Sequence, residues 1–181
     1  YPLVPGYEAA GEVVEAGADS GFRVGEHVFV PGANCFRPLG DTPVRGLFGE
    51  LKKRRDAGGI RVLNIDNGNP GTLVNFPDES AKILEAIVDA ITPGDTLAMG
   101  VESLDPEVIA RNGLKVNARE LLEAVRLVNE IGGRRVEGLP VLLPGINLIH
   151  GLPGERMDTF RHNYEGLAAI AGAGLMIKRI N

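Results

Sequence analysis

Two stretches set carboxylates, hydroxyls and glycines where a small molecule could meet them. Thr96-Leu-Ala-Met-Gly-Val-Glu-Ser-Leu-Asp-Pro106 reads as a buried strand that ends on Glu102 and Ser103 and then turns into a helix. Asn147-Leu-Ile-His-Gly-Leu-Pro-Gly-Glu155 reads the same way, with Gly151, Gly154 and Glu155 at the turn. A parallel α/β protein binds ligands at the carboxyl ends of its strands, so a carboxylate and a hydroxyl placed there are binding groups. A plainer use competes: Ser103 with Asp105 can form a helix cap, and Glu155 at a helix start suits the helix dipole without any ligand. For Glu102 and Ser103 the ligand-facing role is expected; for Gly151–Glu155 both roles stand.

Metal and nucleophile chemistry has less to work with. His27 falls in a strand pattern and is expected to be structural. His150 is expected to be a satisfied, half-buried histidine, and His162 a solvated one beside Arg161. No spacing gathers them into a metal set. The single cysteine, Cys35, has no neighbouring base in the sequence and is expected to be an inert small side chain. Met99, Met157 and Met176 read as core filler.

Two different patterns position these residues. Up to about Phe36, short apolar bursts (Ala10–Ala16, Glu26–Val30) alternate with turn signals at 17–21 and Pro31-Gly32, which suggests antiparallel β material. From about Gly59, strands and helices alternate: strands at Ile60–Ile65, Thr96–Val101, Val141–Ile149 and Leu175–Ile180. Between them lie a helix capped by Asp78 with Ile83, Leu84, Ile87, Val88 and Ile91 inward, and a short one from Asp105-Pro106 to Asn112-Gly113. A third starts at Asn117 with Glu120 three residues on, as in a capping box, and buries Leu121, Leu122, Val125 and Val128 up to Gly132-Gly133. A last helix, Asp158 to Ala171, is expected to bury Phe160, Tyr164, Leu167 and Ile170. Residues 37–43 read as a loop and Phe48–Asp56 as a short basic helix. The expected fold is α/β: a partial parallel (β/α) barrel of about four strands with a small N-terminal β segment. Its expected domains are 1–48, a seam at 49–58, and 59–181.

Composition narrows the partners. The 181 residues are 44% apolar and 24% charged, with a net charge of −5. Lys52-Lys-Arg-Arg55 is the one basic run, too narrow a footprint for nucleic acid. The most apolar stretches are interrupted and fall short of the ~20 residues of a membrane span. No export signal is read, and one cysteine suits a reducing compartment, so the cytoplasm is expected. Open sheet edges make a homo-oligomer the expected assembly.

The second pattern resembles a known family. Gly100-Val-Glu-Ser-Leu-Asp-Pro-Glu-Val108 is similar to the fourth-strand phrase of radical S-adenosylmethionine barrels, and Gly151-Leu-Pro-Gly-Glu155 to the fifth-strand phrase. Asn64-Ile-Asp-Asn-Gly-Asn-Pro70, Leu143-Pro-Gly-Ile-Asn147 and Arg179-Ile-Asn181 resemble a largely archaeal, uncharacterised Fe–S oxidoreductase branch. The resemblance implies that Glu102 and Ser103 contact ribose hydroxyls and that Gly151 and Gly154 let backbone approach adenine, with Glu155 starting the next helix. It also implies that Asp66, Asn67 and Asn69 face substrate. The parent reaction is reductive cleavage of S-adenosylmethionine to a 5′-deoxyadenosyl radical at a [4Fe–4S] cluster held by a CxxxCxxC loop, and clusters of this kind need thiolate ligands. One cysteine cannot replace three, so this stretch is expected to bind a nucleoside-type ligand weakly and not to cleave it.

The first pattern resembles something else. Pro5-Gly-Tyr-Glu-Ala-Ala-Gly-Glu-Val-Val-Glu-Ala-Gly17, then Gly21-Phe-Arg-Val-Gly-Glu-His-Val-Phe-Val-Pro31, is similar to the GroES-like domain of medium-chain dehydrogenases, in the wording of the bacteriochlorophyllide a dehydrogenase branch. That wording extends through Cys35-Phe36 to Val44-Arg-Gly-Leu-Phe48. Where zinc-dependent relatives carry His-Glu, this chain has Tyr7-Glu8, and a phenol is a poor zinc ligand. No GxGxxG between strand and helix follows. Two partial families meeting near residue 50 make an apparent chimera. The alternatives to the partial barrel are therefore a non-catalytic composed chain with no native function, or a dehydrogenase remnant with Glu8 and Cys35 on zinc.

Overall fold

The computed structural model describes residues 8–13, 15, 18, 23–25, 27–31 and 41–181, with backbone alone at 8–12, 27–31 and 41–44. The chain divides into two compact units, Tyr1–Val44 and Arg45–Asn181. In the first, strands β1 (Glu8–Glu12) and β2 (His27–Pro31) pair antiparallel, with Gly11 opposite Val28. The expected strand Ala10–Ala16 is thus displaced toward the amino end. Tyr7, Cys35, Phe36 and the loop at 37–40 lie outside the described residues, as do the side chains of Glu8 and His27.

Helix α1 (Asp41–Asp56) begins seven residues before the expected Phe48, because Pro43 falls in its first turn, where a proline removes no helical hydrogen bond. Its basic run is spent locally: Lys53 reaches Glu50 at 2.6 Å and Lys52 reaches Asp56 at 2.9 Å. Arg55 closes the far end of another helix, donating to the carbonyls of Ala90 and Ile91 at 2.6 and 2.8 Å.

The centre of the second unit is a four-stranded parallel sheet in the order β3-β4-β7-β8: Asn67–Gly68, Asp95–Glu102, Leu142–Leu148 and Arg179–Ile180. Its edges are different strands, so it is open; the parallel α/β class holds and the barrel is not closed. Between the strands run α2 (Pro70–Asn75), α3 (Pro77–Ala90), α4 (Pro106–Asn112), α5 (Ala118–Gly132) and α6 (Met157–Gly172). A two-residue hairpin, β5 (Arg135–Val136) and β6 (Leu139–Pro140), precedes β7; Glu137 and Gly138 both take positive φ there, as its tight turn demands.

Several expected elements change. Ile60–Ile65 is not a strand, because side chains take the place of a ladder: Leu63 N–H donates to Thr92 Oγ1 at 2.9 Å and Ile65 N–H to Asp95 Oδ2 at 2.7 Å. Burial nonetheless raises the pKa of the Asp95 carboxyl, against the two backbone donors at Ile65 and Thr96 that lower it. Asp78 does not cap α3; Phe76 holds the cap position and Asp78 lies in the first turn, where its charge favours the helix dipole. Leu175–Ile180 shortens to Arg179–Ile180. The helix α6 presents a different face from the one expected. Thr159, Asn163 and Ile170 are buried, while Phe160 is 49% and Tyr164 72% exposed. Gly166 sets that rotation: a Cβ there would stand 2.5 Å from Leu104 Cδ1, so the helix approaches along its small residues.

The expected capping box of α5 forms, Asn117 Oδ1 accepting from Glu120 N–H and Glu120 Oε2 from Asn117 N–H. Leu121, Val125 and Val128 are fully buried, each worth about 1.5–3 kcal/mol of transfer free energy; Leu122 is only half-buried. Gly132 ends α5 against β7, with Leu142 O 2.4 Å from where a Cβ would be. Alternation then gives the sheet two unlike faces. Leu97, Met99 and Val101 with Leu142 and Ile146 form the buried, helix-covered side. Asn67, Ala98, Gly100, Gly145, Asn147 and Arg179 share the other.

Candidate functional site

The carboxyl end of β4 departs from regular geometry where the sequence places its candidates. The register with β7 slips between Gly100 and Glu102. Ser103 N–H then donates to Val101 O at 2.8 Å around Glu102, which stands at φ 70. This is a three-residue turn of the positive-φ kind, rare and strained for a residue with a side chain. The Glu102 carboxylate folds back over its own strand: a Cβ on Gly100 would lie 2.7 Å from Glu102 Oε1. Gly100 is therefore the condition for that carboxylate position.

Glu102 lines a cleft of about 220 Å³ with Asn69, Gly100, Val101 and the α4–α5 loop residues Gly113, Leu114, Lys115 and Val116. Three elements build it. Asn69 closes β3 and caps α2, its Oδ1 accepting from Thr72 N–H at 3.2 Å. Gly113 ends α4 at φ 63, which turns Leu114 and Lys115 back over the strand ends. Glu102, Lys115 and Asn69 thus line one cleft at the carboxyl edge of a parallel sheet. Such a set can accept from ligand hydroxyls and donate to ligand acceptors.

Ser103 is not among the residues that line it. It is 1% exposed, and its Oγ accepts from Asp105 N–H at 3.2 Å. Below it lies a buried polar junction between α4 and α6. Asp105 accepts from Glu107 N–H at 2.9 Å and from Thr159 Oγ1 at 2.6 Å, and Thr159 Oγ1 in turn accepts from Arg156 N–H. The Thr159 hydroxyl, then the backbone donors of α4, hold the Asp105 carboxyl below the ordinary carboxylate range. Asn163 Oδ1 accepts from Leu104 N–H at 2.7 Å. His162, expected in solvent, is half-buried instead, with Nδ1 3.6 Å from Asp105 Oδ2.

The second phrase builds a separate, open pocket of about 520 Å³ lined by His150, Gly151, Leu152, Glu155, Arg156, Met157 and Phe160. Glu155 turns its carboxylate into its own loop, accepting from Gly151 N–H, from Leu152 N–H at 3.2 Å, and pairing with His150 Nδ1 at 2.9 Å. The His150 bond, first, and the Gly151 N–H lower its pKa. The His150 ring, 57% exposed rather than half-buried, stacks on Phe160 at 5.0 Å between centroids. Gly154 stands at φ 93 against the stem of Arg111. The two sites adjoin through one bond, Ile149 N–H to Glu102 O at 2.9 Å.

Of the sequence candidates, the structure brings Glu102 and Asn69 together, and Gly151 and Glu155 together. Asp66 and Asn67 are exposed beside β4, Asp66 O accepting from Ala98 N–H at 3.0 Å. Lys115 was not foreseen, since nothing local marks a loop lysine until the loop is folded over the strand ends. No group of three or more metal-ligating side chains occurs among the described residues; the 181 residues carry one cysteine, and a [4Fe–4S] cluster is held by several thiolates, so the donor set does not fit one. No helix among the described residues is long and apolar enough to cross a membrane.

Residues 1–63 match the alcohol dehydrogenase GroES-like domain. Two curated relatives are similar to different lengths of the chain. An uncharacterised protein of Methanocaldococcus jannaschii is 47% identical over 132 residues, 72% of this chain and 24% of its own. The 2-desacetyl-2-hydroxyethyl bacteriochlorophyllide A dehydrogenase of Cereibacter sphaeroides is 62% identical over 66 residues, 36% of this chain and 21% of its own. The chain therefore spans about a quarter of the one relative and a fifth of the other. Among solved structures, the radical S-adenosylmethionine methyltransferase TsrM from Kitasatospora setae, with tryptophan and a SAM analogue bound, aligns with 70% of this chain and 22% of its own. The identity is 22% and the TM-score 0.47.

Proposed function

We propose that residues 59–181 are the later strands of a radical S-adenosylmethionine (β/α) barrel and that they keep a seat for the nucleoside end of that cofactor. The observation that carries this reading is Glu102: a carboxylate held at φ 70 by a strained turn, facing a cleft with Asn69 and Lys115. Strain of this kind persists where the surroundings impose it, and it collects at binding sites. Glu102 would accept from ribose hydroxyls, and the turn at Gly151 would leave backbone open to the base. When bound, S-adenosylmethionine supplies a sulfonium for one-electron cleavage. The 181 residues hold one cysteine, so the stretch grips a nucleoside without the sulfur ligands that cleavage needs.

Calorimetric titration with adenosine and with S-adenosylmethionine tests the seat. Both are expected to bind with millimolar or tighter Kd. Glu102→Gln is expected to weaken both by about tenfold, the worth of one hydrogen bond to a charged group. Gly100→Ala is expected to do the same by pushing the carboxylate aside while leaving the fold intact. No heat at millimolar adenosine, or equal binding by Glu102→Gln, removes the proposal.

A second reading draws on the GroES-like match over residues 1–63: the amino part is a medium-chain dehydrogenase piece, joined near residue 50 to the barrel strands. Zinc bound through Glu8 and Cys35 would favour it, and metal analysis of untagged protein decides that point.

A further inference from the structure

Helix α6 holds the Glu102 turn from behind. Where the chain leaves β4, Ile149 N–H donates to Glu102 O at 2.9 Å and Ser103 N–H to Val101 O at 2.8 Å. Ser103 Oγ accepts from Asp105 N–H at 3.2 Å. Leu104 N–H, between them, finds its acceptor far away in the chain: Asn163 Oδ1, 59 positions later, at 2.7 Å.

Gly166 makes that reach possible. It lies three residues beyond Asn163 on the same side of α6, and a Cβ there would stand 2.5 Å from Leu104 Cδ1, so the helix runs close over Leu104. Leu104 is 4% and Asn163 5% exposed, so water does not compete for the bond. The Leu104 N–H fixes the carboxamide with its oxygen forward. Asn163 Nδ2 is then buried with no partner among the described residues. A buried donor without a partner is destabilising. An asparagine held there in spite of that is held for its oxygen.

We infer that Asn163 is a positioning residue for Glu102. By fixing Leu104 N–H two residues downstream, its carboxamide imposes the φ of 70 that turns the Glu102 carboxylate back over Gly100. Without that acceptor the turn relaxes and the carboxylate leaves its place. The inference deepens the nucleoside reading and rests on it where adenosine is the readout; the strain itself is read without ligand.

The test is a double-mutant cycle on the full chain, followed by thermal unfolding and by calorimetric titration with adenosine. Glu102→Gly is expected to raise the Tm of the parent, because glycine adopts φ 70 freely. In Asn163→Ala protein the same change is expected to raise Tm by less than half as much, since the strain is already released. Thr159→Ala is the control. It loosens the same junction by its other contact, Thr159 Oγ1 to Asp105 Oδ2 at 2.6 Å, and is expected to leave the gain from Glu102→Gly whole. Asn163→Ala is also expected to weaken adenosine binding by about tenfold, as loss of the Glu102 carboxylate does. Should Asn163→Ala not fold, Asn163→Ser takes its place, its hydroxyl being one bond too short for Leu104 N–H.

An equal gain from Glu102→Gly with and without Asn163, or no gain in the parent, would overturn the inference. So would loss of the gain in Thr159→Ala, adenosine binding left unchanged by Asn163→Ala, or a Leu104 amide that exchanges in the parent as fast as in an unfolded chain. Failure of adenosine to bind the parent would sink only the nucleoside reading.

Discussion

Replacing Glu102 by glycine is expected to make the protein more stable while abolishing adenosine binding. A residue with a Cβ at φ 70 in a turn of this kind costs of order 1–3 kcal/mol. Glycine removes that cost but adds about 0.5–1 kcal/mol of backbone entropy to the unfolded chain. Among the described residues the half-buried carboxylate has no hydrogen-bond partner whose loss must be set against the gain. The net is about 1 kcal/mol in favour of Glu102→Gly, a rise in Tm of roughly 3–5 °C for a unit of this size. Glu102→Ala is the control: it also removes the carboxylate but keeps the Cβ and the strain, so its Tm is expected to equal the parent's or fall slightly. Thermal unfolding by circular dichroism of the three proteins at pH 7 measures the difference. A Glu102→Gly protein no more stable than Glu102→Ala would refute the argument that the turn stores strain for the sake of its carboxylate.

Two further outcomes follow from the packing. Gly132→Ala drives a Cβ to within 2.4 Å of Leu142 O, a backbone atom that cannot swing away, so a loss of about 2–3 kcal/mol is expected in urea unfolding. Asp105→Asn is expected to lower Tm at pH 7, because an amide cannot accept from both Glu107 N–H and Thr159 Oγ1. The Asp105 pKa is depressed in the fold, so its contribution is complete above the ordinary carboxylate range, ~4, and is lost as pH falls through the lower folded value. The Tm gap between parent and Asp105→Asn should therefore close below about pH 4, and a constant gap from pH 7 to pH 3 would contradict that assignment.

Local chemistry was legible in the residue order. The Asn117–Glu120 capping box, the start at Asp105-Pro106 and the glycine stop at Gly113 are contacts within a few residues, whereas the helix from Pro70 was not foreseen. The buried faces of α3 and α5 were legible because each helix carries an apolar stripe at three-to-four spacing. The α6 stripe misled because Phe160 and Tyr164 repeat at helical spacing yet yield the buried face to Thr159, Asn163 and Gly166. A buried acceptor on another helix, Asp105, and a close approach to Leu104 outweigh apolar spacing there. Ile60–Ile65 misled in a similar way. Its composition is that of a strand, but Thr92 and Asp95 side chains satisfy the amides that a ladder would have used.

The sequence by itself determined a parallel α/β unit, the ends of α3, α4, α5 and α6 to within a turn, and that Glu102 ends a strand. Tertiary structure alone decided that Ser103 is buried, that Lys115 comes to the Glu102 cleft, and that Arg179 lies across Gly145. The physical reason is range: caps and turns close over three or four residues, whereas β3, β4, β7 and β8 set side by side residues that lie 30 to 50 positions apart, through a register no local pattern encodes.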